Sequence, residues 1–129
     1  MIRHISTAIV TAALLALATG AGAFTLLSPP IRVSNGGSLE CSIYNYSASK
    51  TMAVNISIFE TNGREVASSN VTCNGTNQSH CFRVPSDASE NAKALVCRFD
   101  VTQVGKSDVR ASVLSFDAAF NLAGALEAR

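Results

Sequence analysis

One histidine, His80, remains beyond residue 23. It stands beside Cys81 and seven residues after Cys73, so histidine-dependent chemistry in the body of the chain has to be sought there. An imidazole next to a thiol could lower the thiol pKa or bind copper. The spacing argues against both. Cys73 and Cys81 lack the CxxC arrangement of thioredoxin-like motifs and zinc ribbons, and one His with one Cys does not complete a metal site. Hydrolysis by a Ser-His-Asp arrangement would also have to use His80, yet no GxSxG elbow occurs. The carboxylates Glu40, Glu60, Glu65, Asp87, Glu90, Asp100, Asp108, Asp117 and Glu127 fall at turns, in the tail or on outward strand faces. Charges there keep a protein soluble rather than flank a scissile bond. No Gly-rich phosphate loop or EF-hand pattern is present. The expectation is a protein without catalytic residues, metal or cofactor. The rival is a small secreted hydrolase or redox protein using His80 and the Cys73/Cys81 loop.

Binding chemistry is a better match to that loop. Asn74, Gly75, Thr76, Asn77, Gln78, Ser79 and His80 contain no apolar side chain. A Cys73–Cys81 bridge would pre-organise them and lower the entropic cost of recognition. Such a loop could also be presented to a protease in the manner of an inhibitor. Asparagine adds a second signal. Asn45, Asn55, Asn70, Asn74 and Asn77 each begin an N-x-Ser/Thr sequon, an excess for a chain of this size. They matter only where the source glycosylates. Two tyrosines and no tryptophan leave few rigid aromatic anchors for a binding hot spot.

The elements that must position these residues read as short strands. Leu39, Cys41 and Ile43 alternate with Glu40 and Ser42, and Met52, Val54, Ile56 and Ile58 alternate with Ala53, Asn55 and Ser57. That is the period of a half-buried strand. Asn62-Gly63 suits a two-residue type I′ hairpin, with a return strand over 64–72 at a sheet edge. Residues 81–84 form a short strand stopped by Pro85. Leu95, Cys97, Phe99 and Val101 mark one apolar face, and Val109, Ala111 and Val113 another. Ser28-Pro29-Pro30 confines any early strand to an edge or to a start at Ile31, and Asn35-Gly36-Gly37 is a turn. The tail, 118–129, is alanine-rich and is left open between a short helix and disorder. Six or seven such strands separated by turns predict an antiparallel β-sandwich over 24–117.

Four cysteines allow three connectivities. Cys41 and Cys97 lie mid-strand on apolar faces that a sandwich packs together, which favours a bridge through the core. Cys73 and Cys81 flank one loop and pair at low closure entropy. The crossed alternatives would join a strand cysteine to a loop cysteine.

The leader explains why cysteines should pair at all. Residues 1–23 combine a basic start at Arg3, an apolar run from Ile9 to Ala18 and Ala21-Gly22-Ala23, the layout of an export signal cleaved after Ala23. The run is too short for a membrane span. Export delivers the chain to an oxidising compartment, so the expected location is secreted or periplasmic. Removing Arg3 leaves nine Lys and Arg against nine Asp and Glu. That balance offers no basic stripe for nucleic acid and no polybasic membrane anchor, and the mature chain has no membrane span.

Three stretches carry a resemblance: Leu39-Glu40-Cys41-Ser42-Ile43-Tyr44-Asn45, the hairpin over 54–66, and Cys97-Arg98-Phe99 followed by Asp108-Val109-Arg110-Ala111-Ser112. Together they resemble small exported bacterial proteins of uncharacterised function with an immunoglobulin-like sandwich. The resemblance implies that sandwich and a Cys41–Cys97 bridge, and no activity. Two departures separate the chain from antibody-type domains. No core tryptophan follows Cys41, and Leu95 stands where a corner tyrosine would. The expected function is a secreted binding or structural module whose partner is an extracellular or periplasmic protein.

Overall fold

A computed structural model describes residues 22–74, 80–87 and 93–129, with the backbone alone for 80–87. The leader up to residue 21 lies outside the described residues. The elements run β1 Phe24–Leu27, β2 Ile31–Val33, β3 Ser38–Asn45, β4 Met52–Glu60, β5 Glu65–Cys73, β6 His80–Asp87, β7 Lys93–Thr102, β8 Val109–Phe116 and β9 Leu122–Ala128, with one 3-10 turn at Lys106–Asp108. Every pairing is antiparallel. One sheet has the order β1-β7-β4-β5, with β2 also on β7, and the other has the order β6-β3-β8-β9. The all-β expectation holds.

Alternation decides which side of each strand is buried. Met52, Val54, Ile56 and Ile58 of β4 and Leu95, Cys97, Phe99 and Val101 of β7 join Leu39, Cys41 and Ile43 of β3 and Val109, Ala111 and Val113 of β8 in one core. Each fully buried aliphatic or aromatic side chain of this kind stabilises the fold by about 1.5–3 kcal/mol. Cys41 and Cys97 are bonded through the middle of that core, with their Cα atoms 5.9 Å apart. The bridge ties an interior strand of one sheet to an interior strand of the other, as expected.

Prolines and turns behave according to which strands are edges. Pro29 and Pro30 split one edge into β1 and β2, both laid against β7. Between them Ser28 takes over the ladder: its N–H donates to the Cys97 carbonyl, and its Oγ accepts the Cys97 N–H, both at 2.9 Å. Pro85 does not stop a strand. It lies inside β6 opposite Glu40. As an edge strand, β6 has one neighbour among the described residues, so a missing N–H can face away from the ladder. β5 closes the other sheet as an edge, as the weak apolarity of Ala67-Ser68-Ser69-Asn70 suggested.

The hairpin at Asn62-Gly63 is not a two-residue type I′ loop. Glu60 N–H bonds to the Arg64 carbonyl and Gly63 N–H to the Glu60 carbonyl, both at 2.9 Å, and only Gly63 is left-handed, with φ 88°. This is a three-residue loop with a left-handed third residue. The Asn62 side-chain oxygen accepts the Arg64 N–H at 2.9 Å and holds that geometry.

The largest correction concerns the tail, which is neither a helix nor disordered. Leu122–Ala128 pairs with β8 as its second neighbour. The register sets Gly124, Leu126 and Ala128 beside Ser115, Val113 and Ala111. Of the three only Ala128 is buried, so pairing with β8 rather than a buried face outweighs alanine's preference for helix. Asp117 builds the connecting turn, its carboxylate accepting the N–H groups of Ala119 and Asn121, each at 2.9 Å. These hydrogen bonds from Asn121 and Ala119 hold its carboxyl below the usual range. Phe120 occupies the left-handed position, with φ 62°. The β-domain therefore extends past residue 117.

Candidate functional site

The structure describes only the two ends of the cysteine-flanked loop. Asn74 is exposed just after β5. Residues 75–79 lie outside the described residues, and His80 and Cys81 open β6, of which only the backbone is described. Cys73 is buried and is itself disulfide-bonded. The loop thus leaves the edge strand of one sheet and enters the edge strand of the other.

Asn45 anchors the start of this crossing. It ends β3 and is 0% exposed. Its Nδ2 donates to the carbonyls of Lys50 at 2.9 Å and Cys73 at 3.3 Å, and its Oδ1 accepts the Ser47 N–H at 3.0 Å. Ser47 Oγ accepts the Lys50 N–H at 3.0 Å. One amide thereby clamps the β3–β4 loop to the end of β5. Buried amides are satisfied in this way because an unbonded one costs about 1–3 kcal/mol. Asn45 is therefore a structural residue, although it begins a sequon. Its parity with Leu39, Cys41 and Ile43 was the sequence signal for its burial.

Asn55 and Asn70 have a different setting. They face each other across β4 and β5 on the outer face of their sheet, with Asn55 Nδ2 donating to Asn70 Oδ1 at 2.9 Å. Asp100 on β7 is the next residue in the row and Thr25 on β1 the last. Thr25 Oγ1 donates to Asp100 Oδ1 at 2.6 Å, and Arg98 approaches the same carboxylate at 3.0 Å. A shallow groove of about 380 Å³ runs over this face between Asn55, Asn70, Thr72, Asp100 and Thr102. Its walls can hydrogen-bond a ligand from many directions. They supply no poised nucleophile, because the one carboxylate is already committed.

A second concavity, of about 520 Å³, opens where β1, β8 and β9 meet. Leu26, Val109, Ala111 and Ala128 form its apolar wall, and Lys106, Arg110, Arg129 and Glu127 its charged rim. Sequence reading missed it, since its residues come from positions a hundred apart and meet only once the sheets have assembled. Elsewhere Glu60 holds Arg64 through two hydrogen bonds of 2.8 and 3.1 Å and Lys93 through one of 3.1 Å. The Arg64 guanidinium first, then Lys93, lower its carboxyl pKa from 4.5 to about 2.

Among the described residues no group of three His, Cys, Asp or Glu could hold a metal ion, and no helix is long and apolar enough to cross a membrane. No protein-family model, curated protein or solved structure matches this chain.

Proposed function

We propose that the chain is an exported, non-catalytic, immunoglobulin-like β-sandwich that binds an extracellular or periplasmic protein along the free edge of β5. The observation that carries this reading is the place of β5. It runs for nine residues, has a strand neighbour on one side only among the described residues, contains no proline and exposes Ser68, Asn70 and Thr72. A long edge without proline or lysine invites an added strand. Export is supported by the signal-like leader and by the disulfide-bonded state of Cys41, Cys97 and Cys73. The immunoglobulin-like reading is supported by a core bridge between central strands of two antiparallel sheets.

The test uses Ser68→Lys/Asn70→Lys, which places charges along the edge without touching the core. The oxidised wild type should retain a partner from the extracytoplasmic fraction and gain hydrogen-exchange protection on β5, while the variant retains nothing. Capture that survives both lysines removes β5 from the account. A hydrolytic or thiol-exchange activity abolished by His80→Ala would replace the binding role with the enzymatic one.

A further inference from the structure

We infer that the cleft at the junction of β1, β8 and β9 is a second binding site, for an acidic, extended peptide segment of another protein. β9 ends at Ala128 opposite Ala111, and Arg129 turns its backbone toward Leu27. Val109 and Arg110 lie beyond the register of β9, paired with Asn45 and Tyr44 of β3 on their other side. A short length of β8 therefore borders the cleft without a strand neighbour among the described residues. An extended chain placed there meets the backbone of Val109 and Arg110 on one side, with the Val109 carbonyl already accepting Arg110 Nη1, and the buried Leu26 of β1 on the other.

Charge selects the occupant. Lys106, Arg110 and Arg129 are three of the nine cations beyond residue 23, gathered on one rim whose lining includes Glu127 as the one acidic side chain. Among the described residues none of the three is ion-paired. Arg64 and Lys93, by contrast, sit on Glu60, and Arg98 on Asp100. Arg110 donates its Nη1 to the Val109 carbonyl at 2.8 Å, which fixes its guanidinium beside the strand. A locally positive rim above low-dielectric walls concentrates anions, and a guanidinium fork matches a carboxylate. The apolar wall asks for alternating apolar side chains, which a peptide supplies and a free anion does not. Three cations fall short of the roughly 6–10 phosphate contacts typical of duplex DNA binding. The volume of about 520 Å³ lies within the range of about 300–1,000 Å³ for ligand sites.

The experiment measures fluorescence anisotropy of a labelled Val-Glu-Val-Glu-Val-Glu peptide on the oxidised protein, with the Val-Lys repeat as control. The glutamate peptide should bind, more weakly as salt rises, and the lysine peptide should not. Lys106→Glu/Arg110→Glu should weaken binding by about tenfold or more. Ser68→Lys/Asn70→Lys should leave it unchanged, so failure here and failure at β5 are distinct results. Should the charge reversal unfold the protein, Lys106→Gln/Arg110→Gln provides the same comparison with a smaller expected loss. Absence of binding, or equal binding by the charge variants, overturns the proposal. So does displacement by inorganic phosphate at comparable concentration, which would mark a free-anion site. Self-association lost on charge reversal would make the occupant a second copy and overturn it too.

Discussion

Leu27 and Arg129 exchange both of their backbone hydrogen bonds, at 3.0 and 3.1 Å, and so join the first strand of one sheet to the end of the last strand of the other. The seam leaves less open edge on this flank and draws Ala128 into the core. Because Ala128 faces inward and Ala125 outward, the same substitution should have opposite consequences at the two positions. Ala128→Asp should lower stability by on the order of 1–3 kcal/mol, since a polar group enters the core without a partner. Ala125→Asp should change it by about 0.5 kcal/mol or less. Urea unfolding of both variants checks the register of β9, and equal losses would contradict it.

The two disulfides should differ in weight. Cys41 and Cys97 are separated by 56 residues, and the chain-entropy relation assigns such a bridge roughly 4 kcal/mol. A Cys73–Cys81 bridge closes a loop of about nine residues and is worth roughly 2.5 kcal/mol on the same relation. Cys41→Ala/Cys97→Ala should therefore shift the unfolding midpoint more than Cys73→Ser/Cys81→Ser. Non-reducing peptide mapping should recover Cys73 linked to Cys81. A larger loss from the loop pair would reverse the assignment of roles.

The strands with strict alternation were legible in the sequence because burial selects one parity. The inward side chains Val109, Ala111 and Val113 of Val109–Phe116 and the four of Met52–Glu60 are all buried. What escaped depends on neighbours that only the assembled sheets supply. Pro85 reads as a stop until β6 is known to lie at an edge. The tail reads as alanine-rich until β8 is present for it to pair with. Phe120 carries no glycine-like signal for its left-handed backbone, which the Asp117 hydrogen bonds impose. The β5 edge was foreseen from its weak apolarity, whereas the cleft at Lys106, Arg110 and Arg129 has no local signature.

Asn45→Ala should cost about 2–3 kcal/mol, because removing the amide strands the Ser47 N–H and the carbonyls of Lys50 and Cys73 in a buried place. The burial has a covalent corollary. A glycan on Nδ2 would replace a donor that makes two hydrogen bonds inside the fold, so protein folded in a glycosylating host should carry an unmodified Asn45. Exposed Asn70 has no such barrier. Glycopeptide mass spectrometry with a melting curve checks both statements, and a glycosylated Asn45 in natively stable protein would disprove the clamp.

Acid sensitivity should trace to Glu60. Its carboxylate side chain is only 15% exposed and is held by Arg64 and Lys93, and these hydrogen bonds take its pKa from 4.5 to about 2. The unfolded chain then binds the proton more readily than the native one. Stability from this cluster is complete above about pH 4.5 and falls as the pH drops toward 2. Asp117, with its carboxyl lowered by Asn121 and Ala119, acts in the same direction. Glu60→Gln keeps an acceptor but cannot titrate. Its stability should start lower at neutral pH and decline less steeply below pH 4.5, the two curves converging in acid. Arg64 and Lys93 are substantially exposed, at 66% and 41%, so added salt should narrow the gap between them. Parallel curves for wild type and Glu60→Gln across the acid range would show that this cluster does not couple protonation to folding.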